Sequence, residues 1–368
     1  MAQVLRVGVI GCGGIAQMMH LPFLAERPDL FEIVALADVN PQTLAAVGRR
    51  YRVERLFEDH RELLRQAPVD AVAILSGNSH LQPVLDAARA KKPIFVEKPL
   101  AASRAELDAI TSAIAETPVP LLVGYHKRYD PAYLVARDSI AGMTDLRFVQ
   151  VTVLHPVDGA YRAHHWIEPP GSPDELVRAQ DEDRDGLREH VTSPAVARQL
   201  REVVGDQAPF GQLVATLNLF GSLIHDVNAV RGILGEPERV LHAQQWHDGR
   251  GFHAVLSFAG DVRCAMSWIY LPGLMHYHEQ LLFAARSSRV TLTFPSPYLK
   301  HLPTSLLVEE TGAHGPVQSL ITPSYEEAFR AELHHFHRVV TIGEKPLTDL
   351  ADARGDTLVL EQLARACS

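Results

Sequence analysis

The feature that most constrains the fold is a glycine-rich stretch close to the N-terminus. The apolar residues 7–10 are typical of a buried strand, and Gly-Cys-Gly-Gly-Ile-Ala follows directly. Gly11, Gly13 and Ala16 match the pattern G-x-G-x-x-G/A, which combines a tight turn, close approach of the backbone to a pyrophosphate, and close helix–strand packing. The N–H groups at the start of the helix would attract phosphate. The stretch predicts a dinucleotide site; an ordinary strand-to-helix turn is the alternative.

The N-terminal third continues as an alternation of short apolar strands and helices. The first helix is expected to run through Leu24, bent or interrupted at Pro22. Further strands are predicted at 32–37, 70–75, 93–97 and 120–124, and helices at 41–51, 59–66, 81–90 and 105–115. This alternation predicts a doubly wound parallel sheet, whose ligands bind at the carboxyl ends of the strands. The polar segments that fall at those ends are Gly11, Asp38, 76–80, 97–99 and 125–128.

Asp38 ends the second predicted strand and is the candidate partner of the adenosine ribose. An acid at this position accepts hydrogen bonds from the ribose hydroxyls and repels the 2′-phosphate of NADP. Val39 and Asn40 add no positive charge after it. The residues therefore favour NAD, with NADP as the alternative cofactor and a helix cap or turn before Pro41 as the alternative role of Asp38.

From about residue 143 the pattern changes to alternating apolar and polar residues. Antiparallel strands are predicted at 147–154, 240–246, 252–258, 262–268, 279–285 and 289–294. Amphipathic helices are predicted at 326–342 and 350–366. We expect a dinucleotide-binding domain at 1–124, with the helix 350–366 packed back on it, and a second domain at 125–349 that contains a variable insert at 158–209.

Length and composition are those of a globular protein with two domains. The chain has 368 residues, of which 46% are hydrophobic and 21% charged. The net charge of −9 argues against nucleic acid as a partner. Three scattered cysteines imply no disulfide framework. We expect neither a membrane-spanning segment nor a signal segment, hence a cytoplasmic protein with a small-molecule partner.

Five short segments carry a resemblance to a known family. They are Gly11-Cys12-Gly13-Gly14-Ile15-Ala16, Ala37-Asp38-Val39-Asn40-Pro41, Glu97-Lys98-Pro99-Leu100-Ala101, Gly124-Tyr125-His126-Lys127-Arg128-Tyr129-Asp130-Pro131 and Ile224-His225-Asp226. In this order and spacing they resemble the Gfo/Idh/MocA family of glucose–fructose oxidoreductase and inositol dehydrogenase. The resemblance covers nearly the whole chain apart from 158–209.

The resemblance implies a fold, a cofactor and an assembly. The expected fold class is α/β, with an N-terminal Rossmann sheet and a C-terminal α+β domain built on an open, mostly antiparallel sheet. A homodimer or homotetramer would pair through that second sheet. The expected NAD-binding residues are Gly11, Cys12, Gly13, Gly14, Ile15, Ala16, Asp38, Ser76, Asn78, His80, Glu97 and Lys98.

Lys98 and His225 are the candidate catalytic residues. Oxidation of an alcohol needs a base for the hydroxyl proton, and reduction needs the corresponding acid. Lys98 follows a strand at the ligand edge of the sheet and is assigned a proton-relay or substrate-orienting role; hydrogen bonding to the cofactor ribose alone is the alternative. Glu97 is expected to anchor local structure, and Pro99 is a candidate for a cis peptide bond.

His225 departs from the family pattern in its surroundings. The family has an aspartate four residues before this histidine, on the same helix face, whereas this chain has Gly221. His225 could act alone, the substrate could lack the corresponding hydroxyl, or Asp226 or Asn218 could substitute. A buried structural histidine is the alternative.

Further polar and aromatic residues are candidate substrate contacts. Besides Lys98 and His225 they are Tyr125, Arg128, Tyr161, His165 and Trp166. Arg128 could pair with a substrate carboxylate or phosphate, and the aromatic group could equally line an interface. The densest histidine groups, 334–337 and 276–278, lack a known zinc spacing, so no metal is expected.

The leading hypothesis is an NAD(P)-dependent oxidoreductase acting on a secondary alcohol or ketone of a sugar, cyclitol or sugar derivative. Three alternatives stay open: a glycosidase that acts through transient oxidation by tightly held NAD, a reductase of a non-sugar carbonyl or imine in specialised metabolism, and a non-catalytic nucleotide-sensing protein. The missing carboxylate at Gly221 keeps the last two open.

Overall fold

The computed structural model describes residues 3–77, 79–168 and 184–367. Its residues group into two compact units. The first, called the Rossmann unit, comprises Met1–His126, Arg162–Arg178 and Phe329–Arg354. The second, called the sheet unit, comprises Lys127–Tyr161, Ala179–Ala328 and Gly355–Ser368. Each unit is therefore assembled from three separate stretches of the chain.

The Rossmann unit is built on a six-stranded parallel sheet in the order β3-β2-β1-β4-β5-β6. The strands are β1 Leu5–Ile10, β2 Phe31–Ala37, β3 Leu56–Phe57, β4 Ala71–Ile74, β5 Ile94–Glu97 and β6 Leu121–Gly124. The helices before residue 126 are α1 Leu21–Glu26, α2 Pro41–Tyr51, α3 His60–Gln66, α4 Leu81–Arg89 and α5 Arg104–Glu116. This is the doubly wound parallel sheet that the alternating pattern predicts, and β4, β5 and β6 are fully buried, as parallel strands covered on both faces must be.

The sheet unit contains an eight-stranded sheet in the order β14-β13-β12-β11-β7-β10-β9-β8. Its strands are β7 Leu146–His155, β8 Arg239–Trp246, β9 Gly251–Phe258, β10 Val262–Tyr270, β11 His278–Ala285, β12 Ser288–Phe294, β13 Ser305–Gly312 and β14 Gly315–Ile321. Neighbours pair antiparallel except β7 with β10, which are parallel. The six predicted strands are confirmed, while β3 and the edge hairpin β13–β14 were not predicted.

The remaining helices complete the two units. They are α6 Pro131–Ala141, α7 Gly159–Arg162, α8 Arg184–Thr192, α9 Pro194–Val204, α10 Phe210–Asn218, α11 Ile224–Leu234, α12 Ala328–Ile342 and α13 Leu350–Ala366. One-turn 3₁₀ segments lie at His126–Tyr129 and Ala259–Asp261. Part of the insert 158–209 is thus helical: α8 and α9 pack Leu187, Val191 and Leu200 against Leu213 and Val214 of α10.

Among the described residues, one continuous helical run, Phe210–Leu234, is apolar and long enough to cross a membrane. Length and composition alone do not make this run a membrane-spanning segment, so the expectation that the chain has none is not contradicted. In the structure 78% of the tested window is buried, so the run is a core helix of the sheet unit.

Candidate functional site

The glycine-rich loop forms a tight turn that joins β1 to the first helix. Gly11 has φ +95, and a Cβ at this position would lie 2.4 Å from the backbone nitrogen of Ser76, so only glycine fits. The Gly11 N–H donates to the Ala37 carbonyl at 2.8 Å, which ties the loop to the end of β2. A Cβ on Gly13 would meet no atom within 4 Å. The loop is therefore closed on the Ser76 side and open at Gly13, as the pyrophosphate pattern requires.

The helix after the loop contains a wide turn before it continues as α1. Its first backbone bond runs from the Gln17 N–H to the Gly13 carbonyl at 3.0 Å. The N–H groups of Gly14, Ile15 and Ala16 precede that bond and lack an intrahelical acceptor. Residues Ala16–His20 form a π turn, closed by the Leu21 N–H on the Ala16 carbonyl. Pro22 follows at once and has no N–H to donate, yet the helix is not interrupted there: the π turn passes directly into α1 at Leu21.

The Asp38 carboxylate lies at the carboxyl end of β2 and accepts two backbone hydrogen bonds. The Cys12 N–H donates to Oδ2 at 2.7 Å, and the Asn40 N–H donates to Oδ1 at 2.8 Å. The cap of α2 is Asn40, whose side chain accepts from the N–H groups of Gln42 and Thr43. A carboxylate has acceptor capacity beyond these two bonds. Asp38 therefore holds the glycine loop in place and can still accept from ribose hydroxyls.

Cys12 is a buried residue of the loop and lacks the features of a reactive thiol. Its side chain is fully buried, and this burial, together with the charge of Asp38, raises the pKa of the thiol well above its usual range. Reactive cysteines have a lowered pKa and some exposure.

Other residues predicted to bind the cofactor also lie at the carboxyl ends of the parallel strands. Ser76 follows β4, and both ring nitrogens of His80 lie 2.8 Å from carbonyl oxygens, those of Ser76 and Pro99. His80 thereby links the loop after β4 to the loop after β5. Lys98 follows β5 directly and is half-buried, and the Lys98–Pro99 peptide bond is cis, as expected. Asn78 lies outside the described residues.

These residues fit a dinucleotide by their shape and chemistry. Strands β1 and β2 are adjacent in the sheet. The open surface at Gly13 and the helix N–H groups follow β1, and the Asp38 carboxylate follows β2. Gly11, Gly13 and the N–H groups of the following helix would hold the pyrophosphate, and Asp38 the adenosine ribose. The fold and the loop together make this edge of the Rossmann unit a dinucleotide site.

A segment from the insert, residues 162–168, also belongs to the Rossmann unit. The buried side chain of Gln17 accepts from the Glu168 N–H at 2.8 Å and donates to the Glu168 carbonyl at 2.9 Å. Gln17 Nε2 also lies 2.8 Å from the Cys12 carbonyl. The ring of Trp166 lies 4.1 Å from the Arg50 guanidinium carbon, a cation–π contact. We call residues 162–168 the anchored segment; the predicted substrate residues His165 and Trp166 lie in it.

Behind Lys98 lies a buried cluster of three titratable side chains that the sequence analysis missed. His20 Nε2 is 2.6 Å from Glu97 Oε1, and the Lys98 N–H donates to Glu97 Oε2 at 3.0 Å. Glu332 of α12 completes the cluster: one ligand-capable atom from each of the three residues lies within 4.8 Å of the others. Glu97 thus anchors local structure, as expected. Glu332 gives no sequence signal, since it belongs to a helix over 230 residues away.

Tyr125, the last predicted substrate residue of this unit, is buried just after β6. Its N–H donates to the Val123 carbonyl at 2.9 Å.

In the sheet unit, His225 is half-buried at the start of α11, directly after a second π turn at Leu219–Leu223. The Ile224 N–H reaches back five residues to the Leu219 carbonyl. The four-residue spacing that places two side chains on one face of an α-helix does not describe this turn. The absence of a carboxylate at Gly221 therefore coincides with a local change in helix geometry. Asn218, one candidate substitute, donates to the Gly249 carbonyl at 3.0 Å.

Asp226, the other candidate substitute, belongs to a buried ion cluster. Lys127 Nζ lies 3.2 Å from Asp226 Oδ1 and also pairs with Glu279, and all three side chains are at most 6% exposed. Tyr277 donates to Glu279 Oε2 at 2.7 Å. Burial raises the pKa of Asp226 in spite of the Lys127 charge. The cluster braces the start of α11 beside His225; Lys127 was quoted in the resemblance without a role.

The two other predicted substrate residues of the sheet unit have partners within it. Arg128 is buried, with Nη1 3.3 Å from the Asn228 carbonyl. The Tyr161 hydroxyl accepts from the Tyr277 N–H at 2.6 Å and donates to the Met275 carbonyl at 3.3 Å. These contacts support structural roles, and substrate binding by the two residues stays a prediction.

Three of the histidines considered for a metal site, those at 334, 335 and 337, have other contacts. His334 contacts Arg27, His335 lies 3.2 Å from a Glu344 oxygen, and His337 Nε2 lies 2.7 Å from the Gln3 carbonyl. His276 and His278 lie in the sheet unit before and at the start of β11.

Comparison with known proteins agrees with this site. The model of the oxidoreductase family GFO_IDH_MocA, with an NAD-binding Rossmann fold, matches residues 5–125. Inositol 2-dehydrogenase of Paracoccus denitrificans is 37% identical over 143 residues, 38% of this chain and 42% of that enzyme. Myo-inositol 2-dehydrogenase of Thermotoga maritima is 31% identical over 141 residues, with the same coverage of 38% and 42%. The chain thus spans about two fifths of the length of the curated relatives that it matches.

Solved structures extend the similarity in fold to the whole chain. Apo scyllo-inositol dehydrogenase from Lactobacillus casei has a TM-score of 0.71 at 17% identity, covering 100% of this chain and 97% of that one. Aldose-aldose oxidoreductase from Caulobacter crescentus has a TM-score of 0.73 at 20% identity, covering 99% and 97%. At these identities the likeness shows the fold. Residues 5–125 are therefore similar to the NAD-binding Rossmann domain of the GFO_IDH_MocA oxidoreductase family, and the solved structures show the fold of the whole chain.

Proposed function

We propose that this protein is an NAD(P)-dependent oxidoreductase that acts on a secondary alcohol or ketone of a cyclitol, sugar or sugar derivative. The observation that carries the proposal is the position of Lys98, which follows β5 at the same sheet edge as the glycine loop and Asp38. The relatives matched over the Rossmann domain, named inositol 2-dehydrogenases, support a cyclitol or sugar as the substrate class.

In the proposed mechanism, side chains of this protein transfer the proton, and the nicotinamide cofactor would transfer the hydride. The cofactor, when bound, accepts or supplies a hydride at the carbon that bears the oxygen. Glu97 is occupied by His20 and by the Lys98 N–H, which leaves Lys98 as the titratable side chain at this strand end that can take the hydroxyl proton. His225 is assigned to the same proton relay or to orientation of the substrate. In the direction of reduction the same groups return the proton.

We also propose NAD as the preferred cofactor and a homodimer or homotetramer as the assembly. The charge of Asp38 supports the first. For the second, one face of the eight-stranded sheet carries partly exposed apolar side chains. They include Phe148, Ile269 and Leu282, which the strand register places on the same face of β7, β10 and β11. Light-scattering measurement of the mass in solution tests the assembly, and a monomer would contradict it. A cytoplasmic location stays a prediction.

Turnover measured on a substrate panel tests the proposed function. The purified protein is mixed with NAD or NADP and with inositols, aldoses and non-sugar alcohols, and the absorbance of the reduced cofactor is followed. Net reduction with a cyclitol or sugar supports the proposal, whereas release of an aglycone without net reduction indicates the redox-assisted glycosidase. Reduction of non-sugar carbonyls alone, or tight cofactor binding with no reaction, indicates the other two alternatives.

Substitution of Lys98 tests its assigned role. Lys98→Met is expected to lower kcat by roughly 10²- to 10⁴-fold, because general acid–base catalysis contributes about that much. The affinity for NADH should change far less. Lys91→Met, at an exposed position, is the control. Unchanged turnover in Lys98→Met would rule out the proton relay.

A further inference from the structure

His20, Glu97 and Glu332 form a buried cluster in which several polar atoms have no hydrogen-bond partner among the described residues. The three side chains are buried, and the His20 ring packs edge-on against Phe95 and Phe329. Among the residues that the structure describes, neither oxygen of Glu332 has a hydrogen-bond partner, and the same holds for His20 Nδ1. An ionised carboxylate left in this state would pay a large desolvation cost without compensation.

Charge repulsion between the two buried carboxyl groups favours a state in which one of them holds a proton. Glu97 accepts from a His20 ring nitrogen and from the Lys98 N–H, and both bonds stabilise its ionised form. Glu332 has no such donor. Burial raises the pKa of Glu332 well above its usual range, and the charge of Glu97 adds to that rise. Burial also opposes ionisation of Glu97, but the His20 bond and the charges of His20 and Lys98 outweigh it and lower the pKa of Glu97.

A hydrogen-bonded cluster fits this geometry better than a metal centre. Two ligands bound to one ion at about 2.0–2.2 Å stand roughly 3 Å or more apart. His20 Nε2 and Glu97 Oε1 are only 2.6 Å apart, which is the length of a strong hydrogen bond.

We propose that Glu332 is held as the neutral acid and that His20 is a positioning residue, which acts on Lys98 through Glu97. One carboxylate oxygen of Glu97 binds His20, and the other accepts from the Lys98 backbone N–H. His20 therefore orients the Glu97 carboxylate, which in turn holds the backbone of Lys98 in place. A neutral Glu332 keeps the single negative charge of the cluster on Glu97, next to Lys98. The effect on Lys98 rests on the proposed function; the neutral acid does not.

Infrared difference spectroscopy of the holoenzyme at neutral pH tests the neutral acid directly. The spectrum of the wild type minus that of Glu332→Gln should contain the carbonyl stretch of a non-ionised carboxylic acid, shifted in D₂O. Absence of that band would overturn the proposal. A stoichiometric divalent ion found by elemental analysis in the wild type and lost in Glu332→Gln would overturn it too, in favour of a metal site. Because this readout needs no substrate, its failure is distinct from failure of the proposed oxidoreductase activity.

The positioning role is tested by the pH dependence of turnover with the best substrate of the panel. His20→Leu removes the donor and should lower kcat on the order of 10- to 100-fold with little change in KM, as expected for a misplaced proton-transfer group. In this variant the limb of the kcat–pH profile that reports ionisation of Lys98 should move to lower pH. Without the His20 donor Glu97 protonates more easily, and a neutral Glu97 no longer favours the ammonium form of Lys98. His20→Gln keeps a donor and should restore much of kcat, and Glu332→Gln should keep the wild-type profile. An unchanged profile in His20→Leu, or a collapse in a folded Glu332→Gln, would refute the role.

Discussion

Single side chains hold the glycine-rich loop in its shape, because its backbone groups need partners that the sheet does not supply. The Cys12 N–H donates to Asp38, and the Cys12 carbonyl lies 2.8 Å from the Gln17 amide nitrogen. Asp38 thus holds the loop, and binding of the adenosine ribose is its second, predicted role. A substitution at this position has to be chosen so that it separates them.

Asp38→Asn removes the charge and keeps one acceptor oxygen for the Cys12 N–H. We expect the ratio of NADH to NADPH affinity to fall by about tenfold or more, since loss of roughly 1.4 kcal/mol of repulsion toward the 2′-phosphate corresponds to that factor. Fluorescence titration with both reduced cofactors measures the ratio. A ratio equal to that of the wild type would show that Asp38 does not select the cofactor.

The buried carboxyl of Glu332 links stability to pH with a defined sign. Its pKa is raised in the folded state, so above the ordinary pKa of glutamate the unfolded chain releases a proton that the folded chain retains. Stability of the wild type therefore falls as pH rises from about 4.5 toward the folded pKa, by at most about 1.4 kcal/mol per pH unit. The facing groups His20 and Glu97 are common to the wild type and the variant below.

Glu332→Gln cannot lose this proton and should lack that dependence. The free energy of unfolding of the variant, relative to the wild type, is expected to rise in chemical denaturation as the pH increases from about 4.5 toward neutral. Glu116→Gln, at an exposed position, controls for the loss of a carboxyl group. A constant difference across this range would mean that Glu332 is ionised in the folded protein.

At the scale of elements, the anchored segment 162–168 connects the insert to the cofactor loop of the Rossmann unit. Gln17 bonds to both Glu168 backbone groups and to the Cys12 carbonyl, so one side chain links the segment to the loop. The contact of Trp166 with Arg50 fixes the segment at a second point. His165 and Trp166 follow β7, a strand of the sheet unit, so chain order alone would place them in that unit. In the structure they belong to the Rossmann unit.

Trp166→Leu removes the cation–π contact and should loosen the anchored segment. Such a contact at a partly exposed site contributes about 0.5–1 kcal/mol, so amide hydrogen exchange in 162–168 should accelerate roughly two- to fivefold. Arg50→Met should give the same increase, and Arg49→Met, at its exposed neighbour, should give none. Equal exchange in all three variants and the wild type would show that the contact does not hold the segment.

At the scale of the whole molecule, neither unit is a continuous piece of the sequence. Residues 329–354 complete the Rossmann unit: the Val123 N–H donates to the Thr348 carbonyl at 2.9 Å, and the Thr348 hydroxyl donates to the Val123 carbonyl at 2.7 Å. The same stretch contributes the buried Leu333 and Phe336. The N-terminal sequence that matches the family model is therefore not a complete folding unit.

A fragment of residues 3–126 is expected to show neither a cooperative thermal transition nor NADH binding. Loss of each large buried side chain costs about 2–5 kcal/mol, and several such losses exceed the usual 5–15 kcal/mol stability of a domain. Circular dichroism and NADH fluorescence measure the two properties. The same fragment joined through a flexible linker to residues 329–354 is the control and should regain structure. Wild-type-like binding by residues 3–126 alone would contradict this view.

Structure is most predictable from this sequence where local patterns decide it. The parallel sheet, the glycine turn at Gly11 and the helix α13 follow from periodicity and backbone chemistry, which act over a few residues. The strands β13 and β14 were missed because an edge hairpin buries little on either face and shows weak alternation. The turn before His225 was misjudged because a π turn and an α turn have no distinguishing residue pattern.

By itself, the sequence determined the class of the protein: a dinucleotide-binding Rossmann sheet followed by a mostly antiparallel sheet, with Lys98 at a strand end. Only the tertiary structure decided which buried side chains lie next to that lysine. Glu332 and His20 reach Glu97 from separate stretches of the chain, and Lys127 likewise meets Asp226 and Glu279 from separate stretches. The physical reason is that burial and charge pairing depend on distances in space. Residues hundreds of positions apart become neighbours only when the chain packs.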